Sequence, residues 1–212
     1  MKIKILVIIS LFLMFSNRNY AQCDANLISL LKEYYSLATT SADRNLYKGR
    51  FFEIFPNNFQ LLDSLYGWDE TKDFPRPLYS EATSHIDLFF DTFGIVDKDT
   101  FVKKVINISI NGRHSADAIN WFQQNLRGFF SNNTELFLKT LESYTDIKIK
   151  SFWHFFFDNF AFGHFVSLEN YKEVYERIKQ LNFERILTLM QEQYTHDYNE
   201  SLERFENMDC CK

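Results

Sequence analysis

Proline is scarce in this 212-residue chain. All three prolines fall between Pro56 and Pro77, and none occurs from Leu78 to Lys212. Glycine is nearly as rare, with six residues. Together these shortages exclude collagen-like, low-complexity and turn-rich all-β architectures. Cysteine is limited to Cys23, Cys210 and Cys211, too few and too unevenly placed for a disulfide-dense scaffold or a four-ligand zinc site. The chain has no GxGxxG, P-loop, GxSxG, CxxC or HExxH pattern. Dinucleotide, nucleotide, α/β-hydrolase, thioredoxin and zincin readings therefore lack their sequence anchors, and neither a cofactor nor a metal is expected.

Phenylalanine is what the chain has in plenty, 24 residues in a sequence that is 46% hydrophobic. The proline-free stretch, rich in Leu, Phe, Lys, Glu and Gln, reads as a succession of helices. The expected class is all-α, a single-domain antiparallel helical bundle or irregular helical array over residues 23–212. Helices are predicted near 24–37, 58–66, 78–93 and from 98 onward, with a polar loop at 38–50 and another over "DETKDFPRP". Asn58 precedes the second of these and Gly67 stops it. Ser115 and Thr134 are the expected caps of two further helices, to be followed by an aromatic helix from 147, one over 167–181 and one over 183–207. Ile106, Ile108 and Ile110 in "VINISING" alternate as a strand would, so a short strand-like segment near 105–110 competes there with a helix end.

Residues 1–22 read as a separate object. Lys2 and Lys4 precede the apolar run Ile5–Phe15, and a polar stretch ends in Tyr20-Ala21-Gln22. That order is the pattern of a secretory signal peptide cut after Ala21 or Gln22. The run is shorter than the roughly 20 residues that a spanning helix needs, so no stable membrane span is expected once it is removed. The expected location is outside the cytoplasm, periplasmic or secreted. Lipid attachment at Cys23 is disfavoured because Gln22, not a small residue, precedes it. In an oxidising compartment a Cys23 bond to Cys210 or Cys211 would tie the two ends together, with free or intermolecular thiols as the alternative.

Residues 1–22 hold Lys2, Lys4 and Arg18 and no acid, so the rest of the chain has 20 basic and 28 acidic residues, net −8 with His neutral. Such a surface repels phosphate backbones and anionic lipids, which argues against nucleic acid and favours a basic protein partner.

"SFWHFFFDNFAFGHF" (151–165) poses the central question of whether its rings meet a ligand or a core. With Phe152 at zero on a helical wheel, Phe155, Phe152, Phe156, Phe160, Trp153 and Phe157 fill an arc from about −60° to about 140°. Lys150, Ser151, His154, Asp158 and Ala161 fall in the remaining seam. Burying a phenylalanine side chain contributes about 1.5–3 kcal/mol. Six rings left in water would forgo that, so the segment is expected to be a central core helix rather than a platform. An apolar carrier with a Phe-lined cavity is the rival.

His154 and Asp158, four apart on the seam, could orient a general base or form an ordinary helical pair. Glu81–His85 and Glu192–His196–Glu200 also step by four, which fits a solvated helix face better than the Glu-x-x-His spacing of metal-binding bundles. No catalytic residue is assigned, and an enzyme with a histidine–carboxylate or metal site is kept as an alternative function. Two loops are the expected partner-binding surface. "LYGWDETKDFPRP" sets Trp68 among Asp69, Glu70 and Asp73, an aromatic anchor ringed by charge. "NGRHSADAINWF" places Arg113, His114 and Asp117 at a helix start.

"FPNNFQLLDSLYGWDE", "PLYSEATSHIDLFF", "NGRHSADAINWFQQNLRGFF" and "SFWHFFFD", between residues 55 and 158, resemble stretches of bacterial secreted proteins of unknown function. Proteins of that kind look like small immunity-type proteins that sit in the periplasm beside antibacterial toxins. The resemblance implies a non-enzymatic, partner-binding role and supplies no catalytic residues.

Overall fold

The computed structural model describes residues 25–115, 117–158 and 168–209, except for the side chains of 168, 169 and 202–209. The expected leader, all three cysteines, and Phe160 of the aromatic segment lie outside the described residues. Among those described, the chain is an all-α irregular helical array with one two-stranded antiparallel ribbon. The described residues divide into two compact units, one ending at Phe55 and the other beginning at Pro56.

The first unit contains helix α1 over 25–40 and α2 (Arg44–Ile54). The polar loop expected at 38–50 is thus mostly helix. A turn does occur at 41–43, where the Asp43 N–H donates to the Ser41 hydroxyl at 3.1 Å. Rings join the two helices: Tyr34 to Tyr47 at 6.3 Å and Tyr35 to Phe51 at 6.5 Å. The charges of Arg44, Lys48 and Arg50 hide this helix from a periodicity reading, since only Phe51 and Phe52 within it are buried.

The second unit begins with α3 (Phe59–Tyr66). Its start is fixed by Asn58, whose side-chain oxygen accepts from the Leu61 N–H at 2.9 Å, and Gly67 ends it. Strands β1 (Trp68–Asp69) and β2 (Phe74–Pro75) then pair antiparallel, with Trp68 opposite Pro75 and Asp69 opposite Phe74. A 3-10 turn (Tyr79–Glu81) leads into α4 (Ala82–Asp91), and a second one (Thr92–Gly94) follows it. The remaining helices are α5 (Lys98–Ser109), α6 (Asp117–Asn132), α7 (Thr134–Leu141), α8 (Asp146–Phe157), α9 (Leu168–Gln180) and α10 (Glu184–Asp209).

The strand-like segment expected near 105–110 is the last part of α5. Val105, Ile106, Ile108 and Ser109 are all buried there. A helix enclosed on most of its sides places apolar residues at nearly every position, so an alternation of isoleucines loses its meaning as a strand signal. Asn111, with φ of 60°, turns the chain out of the helix in the left-handed region that asparagine tolerates. Thr134 is the first helical residue of α7 rather than its cap, and its hydroxyl donates back to Phe130 O at 2.9 Å. Ser115 instead donates its hydroxyl to Asp63 on α3 at 2.6 Å.

Helix α8 is the centre of the second unit. It packs against α5, α6 and, most extensively, α10. Phe152, Trp153, Phe155, Phe156 and Phe157 are all at most 2% exposed. Their rings pack on one another and on α6 and α7: Phe152 meets Trp153 at 5.0 Å, Phe130 meets Phe156 at 5.1 Å and Phe137 meets Phe152 at 6.2 Å. Edge-to-face and tilted contacts of this kind are what aromatic quadrupoles favour. The aromatic segment is therefore core as far as Phe157. A second ring cluster, Phe89, Phe90, Phe93, Phe101, Phe122 and Phe129, joins α4, α5 and α6.

The C-terminal end of α8 is satisfied from α6. A helix leaves its last four carbonyls without internal partners. The buried Gln123 donates its amide to Phe155 O and Asp158 O, each at 2.8 Å, and Arg127 donates to Phe156 O at 3.1 Å. Four residues separate Gln123 from Arg127, so both project from one face of α6.

Candidate partner-binding surface

The ribbon that follows α3 is built by its own acids. Asp69 accepts from the Thr71 and Lys72 N–H groups at 3.2 and 3.3 Å through one oxygen, forming a tight local turn. Its other oxygen faces Arg76 at 3.0 Å and Lys72 at 3.6 Å. Desolvation works to raise this carboxyl. The Lys72 N–H, the charges of Arg76 and Lys72 and the Thr71 N–H outweigh it and hold the group below its ordinary value. Asp73 adopts φ of 49° at the end of the turn and accepts from the Trp68 indole N–H at 3.2 Å. Left-handed backbone at that point suits aspartate better than a branched residue.

The two loops singled out in the sequence are brought together through Tyr79. Trp68 packs edge-on against its ring at 5.6 Å, and the Tyr79 hydroxyl donates to Asp117 at 3.3 Å. Burial first, and the charge of Asp117 second, push the Tyr79 phenol above its usual value. Ser115 adds the tie to Asp63, and the His114 N–H donates to Asp158 at 2.6 Å. Gly67 lies close under this arrangement: a Cβ there would stand 2.6 Å from the Asp63 carbonyl oxygen, so only glycine fits.

Exposure redistributes the expected roles. Glu70, Asp73, Arg113 and Asp117 are exposed, whereas Trp68, Asp69 and His114 are half-buried. Trp68 is therefore partly a structural pin for the ribbon. The exposed ring is that of Phe74, at 65%, which the sequence reading did not single out. A phenylalanine followed by proline within a charged turn, outside any periodic apolar run, was the available signal. The charge of the ribbon is also milder than its acids suggest, since Lys72 and Arg76 stand among Asp69, Glu70 and Asp73.

The other candidate groups are dispersed, apart from His196 and Glu200, whose side chains lie 3.9 Å apart on α10. The His154–Asp158 pair is parted, because α8 ends at Phe157 and Asp158 turns to the His114 N–H. His154 meets Asp197 of α10 instead, at 3.1 Å. That hydrogen bond raises the imidazole above its ordinary value against the opposing effect of burial, with the charges of Asp197, Asp158 and Glu200 adding to the rise. His85 is buried 3.0 Å from the Tyr66 hydroxyl oxygen, not presented with Glu81 on an open face. Burial drives the Tyr66 hydroxyl far above its usual range. Glu192 pairs with Lys150 at 2.7 Å. An open depression of about 360 Å³ on α4 and α6 is lined by Phe90, Trp121, Gln124, Asn125 and Phe129. It is shallow, in contrast to the enclosed Phe-lined cavity that a carrier of apolar ligands would need. No described helix is long and apolar enough to cross a membrane.

Comparison with protein-family models, with characterised proteins and with solved structures gives no match.

Proposed function

We propose that the chain is an exported, non-enzymatic protein that binds another protein outside the cytoplasm and neutralises it in the manner of an immunity protein. The contact face is the ribbon around Phe74 and Trp68 together with Arg113, His114 and Asp117. One observation carries the reading. Tyr79 links Trp68 to Asp117, so two loops distant in sequence form one continuous surface with an exposed aromatic at its tip. An aromatic anchor in a polar rim is the arrangement that concentrates binding energy at protein interfaces. The leader-like segment 1–22 and the resemblance to secreted immunity-type proteins support the location. The net −8 charge supports a basic partner, with an association rate that falls as salt rises.

The test is co-purification from periplasmic extract at low and high salt with the unaltered chain and with Phe74→Asp. A basic protein retained by the former and lost with the latter supports the proposal. Failure of the unaltered chain to retain any protein at either salt, or retention unaffected by Phe74→Asp and by Trp68→Ala, refutes it.

A further inference from the structure

Near the middle of α10, spacing and tertiary packing converge on a set of ligating atoms. His196, Asp197 and Glu200 each offer one nitrogen or oxygen, and these atoms lie within 4.8 Å of one another. His196 and Glu200 are one helical turn apart, and Asp197 and Glu200 are three residues apart, so Glu200 neighbours both on the helix surface. The second contribution comes from a different helix. Packing of α8 on α10 brings His154 Nδ1 to 3.1 Å from Asp197 Oδ2. Asp197 is thus shared, with Oδ2 toward His154 and Oδ1 held by the Gln193 amide at 2.7 Å and 3.5 Å from His196 Nδ1. Glu200 Oε1 lies 3.9 Å from His196 Nε2.

One imidazole and two carboxylates form the donor set, and His154 orients the central carboxylate from α8. Zinc holds such ligands at about 2.0–2.2 Å, which places tetrahedral donor atoms about 3.3 Å apart. The three donor atoms, within 4.8 Å of one another, therefore need to close by up to about 1.5 Å, which side-chain rotation supplies. His196 and Glu200 are the more exposed members, at 63% and 50% side-chain exposure, and Asp197, at 24%, is the less exposed one. An imidazole among the donors selects against Mg²⁺ and Ca²⁺, which take oxygen, and favours zinc and its transition-metal neighbours. The geometry points to a divalent transition-metal site at His196, Asp197 and Glu200, with His154 of α8 holding the Asp197 carboxylate so that the site ties α8 to α10. The site is independent of the partner-binding face.

Isothermal titration of ZnCl₂ into the purified chain, with its three cysteines alkylated, tests the site. The expected result is one saturable equivalent of zinc, no heat from MgCl₂, and affinity lowered at least about tenfold in both His154→Ala and His196→Ala. Glu135→Gln, an exposed acid on α7, is expected to bind as the unaltered chain does. A second readout follows from this tie. Zinc is expected to raise the thermal midpoint of the unaltered chain and not that of His154→Ala. Circular dichroism verifies that each variant keeps its helix, and His196→Ala, at an exposed position, provides the test if His154→Ala unfolds. Absence of saturable zinc binding, or affinity unchanged in the histidine variants, overturns the proposal.

Discussion

Replacing Gln123 with leucine tests whether α6 completes the end of the central helix. The side chain is fully buried, and its amide donates to two carbonyls at the C-terminal end of α8. Leucine approximates its volume and removes both donors. Each hydrogen bond contributes about 0.5–1.5 kcal/mol net, and a buried carbonyl left without a donor costs about 1–3 kcal/mol. One gain offsets part of this, because the Gln123 side-chain oxygen is itself buried without a partner, and the substitution removes it. The expected net loss is about 2 kcal/mol. In urea, with a slope of about 2 kcal/mol per molar, the unfolding midpoint falls by about 1 M. Gln124→Leu, on the exposed side of the same helix, should stay within about 0.5 kcal/mol of the unaltered protein. A double-mutant cycle with Arg127→Met, followed by circular dichroism, should show coupling of about 0.5 kcal/mol or more, since both side chains bond the same helix end. A Gln123→Leu midpoint indistinguishable from that of Gln124→Leu would refute the reasoning.

Three further outcomes are expected. Gly112→Ala places a Cβ 2.5 Å from Cδ2 of the buried Phe155 ring, so denaturant melts should show a loss of about 1–3 kcal/mol from overpacking. Asn58→Ala removes the cap of α3 and should cost about 1 kcal/mol in the same assay. The backbone N–H of Thr100, then its hydroxyl, with Lys103 and the Asp99 N–H adding to them, hold the Asp97 carboxyl below its ordinary value of 3.8. A depressed folded-state value means that its contribution to stability is complete above the unfolded value and is lost as pH falls through the folded one. A carboxyl titration by NMR with its midpoint at or above 3.8 would contradict this.

Much of the helical order was legible because it depends on local chemistry. Asn58 and Gly67 bracket α3, Asp97 starts α5, and the wide apolar arc of 152–157 places α8 in the core. What escaped the sequence depends on tertiary context. The second helix lacks a clean apolar stripe, and the ribbon strands are two residues long, below the length at which alternation can register. The surface was half legible. Trp68 and Asp117 were singled out separately, but Tyr79, which connects them, and Phe74, which is exposed, look ordinary in sequence. His154 was assigned to Asp158 by spacing, yet helix termination at Phe157 sends it to Asp197, some forty residues on. Pairings of that range exist only once α8 and α10 pack together.

The two indoles at 68 and 153 occupy opposite environments. Trp153 is sealed among rings with its N–H unbonded, whereas Trp68 is half-open and bonded to Asp73. Emission from Trp153 should lie to the blue and respond to unfolding, while that from Trp68 should lie to the red and respond to whatever settles on the ribbon. With Trp121 replaced by phenylalanine, intrinsic fluorescence can separate docking from melting in one cuvette, without an attached dye.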